Sequence, residues 1–261
     1  MTASTFSPNS DRASNSPSTS TSTTCQYLSS GLTIRLSNYF IDCDQSCAIN
    51  MDAPHLGKDF NPVRLKPADK RAATAVLARA FVEDPLLRYV CPDDRKRYAR
   101  TQYIIKTIVS FGLHYGEVWT TPGHVDAAAI WMPPGTDYMT TARRIRTGMI
   151  FERLVLGRAG IDRYTVFNEL TSKLHHSLIS RPHWHLFVIG VDPLRQGHNV
   201  GSGLIKHMLE RTDRDHVPVF LTAPNPLVVP FYERLGFQVA REVSVPNSSL
   251  VIRGMIRPPG D

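Results

Sequence analysis

The sequence predicts a mixed α/β domain, a partly parallel sheet with helices on both sides, and three features predict it. Short segments rich in β-branched and aromatic residues, at 117–121, 126–132, 184–191 and 219–222, alternate with segments whose apolar residues recur at helical spacing. The part of the chain beyond residue 58, roughly 200 residues, has the size of one such domain. No apolar run reaches the length needed to span a bilayer, so no membrane partner is expected.

Each element has its own signal. A short strand at 63–66 precedes Pro67-Ala68-Asp69, where a proline in the first turn opens an alanine-rich helix to about residue 82. Glu83-Asp84-Pro85 breaks that helix, and a second runs from about 95 to 113 with Tyr98, Gln102, Ile105 and Val109 near one face. Segments 117–121 and 126–132 read as paired strands. Helical patterns at about 139–156 and 163–179 lead into the strand 184–191. A turn with Gly197, Asn199, Gly201 and Gly203 follows, then a helix with Leu204, Ile205, Met208 and Leu209 on one side. Strand 219–222, helix 226–235 and strands near 237–241 and 250–256 complete the order.

Residues 1–58 are set apart by composition. Fourteen of the first 24 residues are Ser or Thr, too polar to bury surface that would offset ordering entropy, so a disordered tail is expected before the domain at 59–261. Serine richness raises an organelle transit peptide, but only Arg12 and Arg35 supply positive charge; a dispensable tail or an over-extended start before Met51 is favoured. Cys25, Cys43 and Cys47 lie in this tail and Cys91 stands alone. The Cys43-x-x-x-Cys47 pair lacks a second ligand pair, so neither zinc nor another metal is expected, and a reducing, cytoplasmic setting fits. The net charge of +7, 30 basic against 23 acidic residues, has its densest cluster at Arg143, Arg144 and Arg146 without interleaved aromatics. That reads as a solvated helix face with some attraction for an anionic ligand, and no nucleic-acid partner is expected.

The turn at 196–202 is the first chemical signal. Small residues opening a helix leave backbone N–H groups unsatisfied at the positive end of the helix dipole, a seat for a pyrophosphate. A P-loop is excluded by the lack of Gly-Lys-Ser/Thr, and a Rossmann site by the lack of an acidic residue ending the next strand. The second signal is Asn225 followed by Tyr232-Glu233-Arg234-Leu235-Gly236-Phe237. Together, Gln196-Gly197-His198-Asn199-Val200-Gly201 and this downstream stretch resemble the GNAT superfamily of acetyl-CoA-dependent N-acetyltransferases. Ala80-Phe81, Asp84-Pro85, Pro92-Asp93, Glu117-Val118-Trp119, Ala129-Ile130-Trp131 and Trp184 extend the likeness in order and spacing towards puromycin N-acetyltransferases, over about residues 63–258.

The resemblance implies a GNAT-type sheet, mixed and mostly antiparallel, with a central splayed parallel pair and helices on both faces. It also implies acetyl-CoA as co-substrate, held by the backbone of Val191, by Gln196, Gly197, His198, Asn199, Val200, Gly201 and Ser202, and by the Asn225 side chain. Asn225 reads equally as a helix N-cap before Pro226, and both roles can hold at once. One departure is Asn199, where the family usually has glycine; Asn is the non-glycine residue that best tolerates the left-handed region.

Acetyl transfer to an amine needs a base for the amine, donors for the oxyanion and an acid for the departing thiolate. The family motif assigns the acid to Tyr232, against the plain reading of a packed aromatic. Histone-modifying relatives carry a glutamate six residues before Val191; His185 stands there, either as a base titrating near neutrality or as an ordinary strand residue. Glu117 and Asp84 are reserve candidates. The expected function is acetyl transfer to an amine of a small molecule, antibiotic-like by the nearer resemblance. Alternatives are peptide or protein N-acetylation and a non-catalytic acyl-CoA sensor. A buried pocket built from the first two helices and the 139–179 segment would favour the small molecule; an open groove would favour a peptide.

Overall fold

The computed structural model describes residues 60–136 and 139–260. The expected Ser/Thr-rich tail lies outside the described residues. Among the described residues, seven strands form one sheet in the order β1-β2-β3-β4-β5-β7-β6. They are β1 (Val63–Arg64), β2 (Glu117–Thr120), β3 (Ala127–Met132), β4 (Trp184–Val191), β5 (Val219–Ala223), β6 (Gln238–Ser244) and β7 (Val251–Arg257). Every neighbouring pair is antiparallel except β4 with β5. β3 is buried along its whole length, as befits a strand covered on both faces.

Helices α1 (Lys70–Phe81), α2 (Pro85–Val90) and α3 (Asp94–Tyr115) precede the first hairpin, and α4 (Thr141–Thr147) and α5 (Glu152–Leu178) lie between β3 and β4. α6 (Val200–Arg214) and α7 (Val229–Glu233) flank β5. On one face, Leu77, Ile104, Val109 and Phe111 pack on Ile130 and Met132. On the other, Leu204, Ile205 and Met208 of α6 pack on Trp131, Leu186 and Leu221, as the 3.6-residue period of that helix predicts. A third cluster joins Phe167 and Leu174 of α5 to Ile252.

Four boundaries differ from the sequence reading. Glu83-Asp84-Pro85 ends α1 and also starts α2, because Asp84 Oδ1 accepts the Leu86 amide at 2.9 Å and proline suits the first helical position. The expected helix at 139–156 is cut at Gly148, whose φ of 83° is left-handed. The next helix begins at Glu152, well before residue 163, and kinks at Gly157, where φ is 70°. The expected helix at 226–235 is one 3₁₀ turn, Pro226–Val228, running into the short α7.

Candidate active site

The parallel pair β4–β5 is in register only from Trp184↔Val219 to Leu186↔Leu221. Beyond Leu186, β4 stays paired with β3 through Val191 while its other edge leaves β5. The ladder on the β3 side jumps from Trp131↔Leu186 to Ile130↔Val188, so Phe187 is the extra residue of a bulge. The two strands therefore open as a wedge with backbone polar groups along one wall, a place where an extended, amide-bearing chain can pair.

α1 holds that wall in place. The Arg79 guanidinium donates to Asp192 from Nε at 3.0 Å and from Nη2 at 2.5 Å, fixing the exit of β4. A Cβ on Gly190 would lie 2.8 Å from Leu77 Cδ2 and 3.1 Å from Ala80 Cβ, so only glycine lets this helix and strand approach so closely. Past Asp192 the chain makes a 3₁₀ turn, Pro193–Arg195, and reaches α6. Asn199 stands at φ 61°, the left-handed conformation anticipated for it, and makes no side-chain cap. The first amides of α6 are thus left without a capping side chain, beside Gly197 at φ 83°. Gln196 Nε2 donates to the Val191 carbonyl at 3.2 Å, and Gln196 O faces His198 Nδ1 at 3.0 Å, so these residues tie the turn to the strand. A Cβ at Gly201 would meet Val191 Cγ2 at 3.4 Å and Phe231 Cζ at 3.6 Å, which are ordinary contacts. Across the wedge, Asn225 Oδ1 accepts the Leu227 amide at 3.0 Å, the N-cap role anticipated for it.

Tyr232 belongs to the α6–α7 side. It is 8% exposed and sits edge-on to Phe231 and Phe237, with centroids 5.2 and 5.9 Å away. Burial pushes its phenol pKa well up, and the charge of Asp84 adds to the shift. Asp84 caps α2 from the opposite side of the sheet; desolvation raises its carboxyl to about 6 against the pull of the Leu86 amide. The structure thus brings a reserve candidate, Asp84, within electrostatic reach of Tyr232.

His185 points to the other sheet face, buried against His175, Phe220 and Phe187 at centroid distances of 4.9, 5.1 and 5.4 Å. It lines a cavity of about 620 Å³ walled by Ile108 of α3, Met139 and Met149, and the Glu152–His176 part of α5. A second cleft, of about 630 Å³, lies between Glu83–Tyr89, Pro224–Pro226 and the β6–β7 loop. Glu117 is elsewhere: it takes Arg64 at 2.6 Å and Arg211 of α6 at 3.2 Å. Its carboxyl pKa is lowered, desolvation being outweighed by Trp119 and the two arginines, and an ion-paired carboxylate of this kind is a poor proton acceptor. Among the described residues, no group of three or more His, Cys, Asp or Glu is placed to hold a metal ion, and His175 and His183 share a 2.6 Å nitrogen–nitrogen contact. No described helix is long and apolar enough to cross a membrane.

The cavity residues Glu152, Tyr164 and Thr171 escaped the sequence reading. Their one signal was a glutamate following the apolar run Met149-Ile150-Phe151.

Known proteins offer a frame for this geometry. Residues 152–237 match the model of the Acetyltransferase (GNAT) family. An uncharacterised N-acetyltransferase of Schizosaccharomyces pombe is 26% identical over 210 residues, covering 75% of this chain and 82% of that protein. Mycothiol acetyltransferase of Brachybacterium faecium is 38% identical over 58 residues, 21% of this chain and 18% of that protein. Among solved structures, histone acetyltransferase HPA2 and related acetyltransferase from Corynebacterium glutamicum superimposes with a TM-score of 0.55 at 20% identity, covering 77% of this chain and 98% of that one. That likeness shows the fold.

Proposed function

We propose that this chain, a GNAT-family acyltransferase, moves the acetyl group of acetyl-CoA to an amine of a small molecule. The observation that carries the small-molecule reading is the cavity of about 620 Å³ between α3, the 139–178 segment and β4, with His185 in its wall. The second cleft has about the same volume, and what sets this cavity apart is the buried His185 in its wall. The second cleft, at the α1–α2 turn, is the place a peptide acceptor would use.

The wedge residues fit the co-substrate. The α6 amides from Gln196 to Ser202 would hold its pyrophosphate, the β4 edge up to Val191 its amide-bearing arm, and Asn225 would add a side-chain contact. The bound thioester supplies an activated acetyl group. Of this chain's groups, His185 takes the proton of the acceptor amine, directly or through water. Tyr232 keeps its proton at neutral pH because burial and Asp84 both disfavour phenolate. It therefore acts as a hydrogen-bond donor that releases its proton only as negative charge builds on sulfur.

Free-thiol release from acetyl-CoA, followed with a panel of small amines that includes puromycin and with short peptides, tests this reading. Turnover of small amines is expected. Turnover confined to peptides would move the acceptor to the second cleft, and acetyl-CoA binding without thiol release from any acceptor would leave an acyl-CoA sensor. Puromycin turnover would support the nearer resemblance.

A further inference from the structure

Glu152 opens α5 and is 4% exposed, yet little of the protein answers its charge. Thr107 Oγ1 stands 3.5 Å from Oε1, and Arg144 Nη2 stands 3.7 Å from Oε2, both at the outer limit of contact. Half of the Arg144 side chain is in solvent. Burial therefore pushes the Glu152 carboxyl up to about 7, with Arg144 and Thr107 opposing only in part. Burial first, and then the charge of this carboxylate, raises the phenol pKa of Tyr103 of α3 and of Tyr164 of α5. A buried carboxyl with one distant cation takes up a proton unless a better partner holds it ionised.

The same cavity presents a second unanswered group. Thr171 Oγ1 is buried without a hydrogen-bond partner and lies in the wall that Glu152, Tyr164, Phe187 and His185 share. A carboxylate, a free hydroxyl and two aromatic rings around one space are the complement of an alkylammonium or guanidinium group.

We infer that Glu152 anchors a second cationic group of the acceptor, so that the substrate is an amine carrying another positive charge, one group meeting Glu152 while the other is presented to His185. This rests on the acetyltransferase reading and names the substrate class of the same site.

The test compares a series of α,ω-diamines, propane to octane, with the matching n-alkylamines, in the full-length wild-type protein and in Glu152→Gln. Thiol release gives kcat and KM at pH 6 and pH 8, and calorimetric titration of the same amines into the CoA-bound protein gives affinity independently of turnover. One charge-assisted contact predicts a diamine preference of about ten- to a hundred-fold, carried by KM. Glu152→Gln is expected to abolish that preference, lowering diamine kcat/KM far more than alkylamine kcat/KM, and to raise Tm at pH 8, where burial of the ionised carboxyl costs most. Because the carboxyl ionises near pH 7 and the diamines remain cations across the range, the preference should weaken at pH 6. Tyr103, Tyr164 and Arg144 face Glu152, and Glu169, Lys173, His175, His176 and His185 share the cavity wall; the alkylamine series, run at the same two pH values, carries whatever those groups do to both kinds of amine.

Equal kcat/KM for diamines and alkylamines, with thiol release intact, removes the anchor and leaves acetyl transfer standing. A variant that lowers both series equally assigns Glu152 to structure and also removes the anchor. If no amine supports thiol release, the transfer reading falls. The anchor is then judged by calorimetry, where diamine binding lost in Glu152→Gln upholds it and absence of diamine binding overturns it.

Discussion

Replacing Tyr232 by phenylalanine isolates one proton. The ring is 8% exposed and packs edge-on against Phe231 and Phe237, and phenylalanine reproduces both contacts. A swap of nearly equal volume changes stability by less than about 1.5 kcal/mol, or no more than about 6 °C in Tm for a domain of this size. The amides of the 196–202 turn belong to a different element, so acetyl-CoA affinity should stay close to wild type. If the phenol supplies the thiolate with its proton, the chemical rate falls by roughly a hundred- to ten-thousand-fold, the range for losing a positioned acid. Slow product release can conceal a change of that size at steady state, so the assay is rapid-quench acetyl transfer in a single turnover with enzyme in excess. Asp84→Asn offers an internal control, since it removes the charge that helps to hold the phenol protonated but leaves the phenol itself. An unchanged single-turnover rate in Tyr232→Phe would refute the assignment and leave the acid role to water.

Asp84 has a carboxyl pKa of about 6, above that of an exposed aspartate, so ionisation erodes folded-state stability as pH rises from about 4 through 6. Asp84→Asn is expected to raise stability by on the order of 2 kcal/mol at pH 8 and to change it little near pH 4, as denaturant titrations would reveal. Gly190→Ala should destabilise by about 1–3 kcal/mol, because its methyl group meets Leu77, Ala80 and Phe81; a wild-type Tm would mean α1 moves aside freely. Gly201→Ala fits its protein neighbours at 3.4 and 3.6 Å, so Tm should hold while acetyl-CoA affinity drops by about tenfold or more through the methyl placed over the turn. Calorimetry showing unaltered affinity would place the pyrophosphate elsewhere.

The strands and the α6 helix were legible because each carries a one-dimensional signal: the apolar row Leu204, Ile205, Met208 and Leu209 is simply what the sheet covers. The left-handed Asn199 could also be read in advance, since its alternatives are few. The helix limits around Gly148 and Gly157 could not, because a glycine inside a helical pattern gives no notice of whether it will bend the chain. The cavity was invisible for a different reason. Ile108, Glu152, Thr171 and His185 come together only through packing of α3, α5 and β4, and no spacing along the chain records that meeting. The opposite fates of Glu117, tied up by two arginines, and Asp84, set near Tyr232, likewise depend on neighbours far away in sequence.

β3 and β4 are antiparallel neighbours, a pair that a two-residue hairpin could join, yet the chain travels from Met132 to Trp184 through two helices before it returns. Topologically that excursion is optional. Phe167 and Leu174 hold it on Ile252 and His175 stacks on Phe220 at 4.2 Å, so the cavity-facing polar residues are the part free to vary. On the proposed function, a graft of residues 139–178 from another protein with the same strand order is expected to carry acceptor preference with it and leave the β4–β5 wedge to the recipient. With that outcome, selectivity and reactivity in this architecture would be inherited separately.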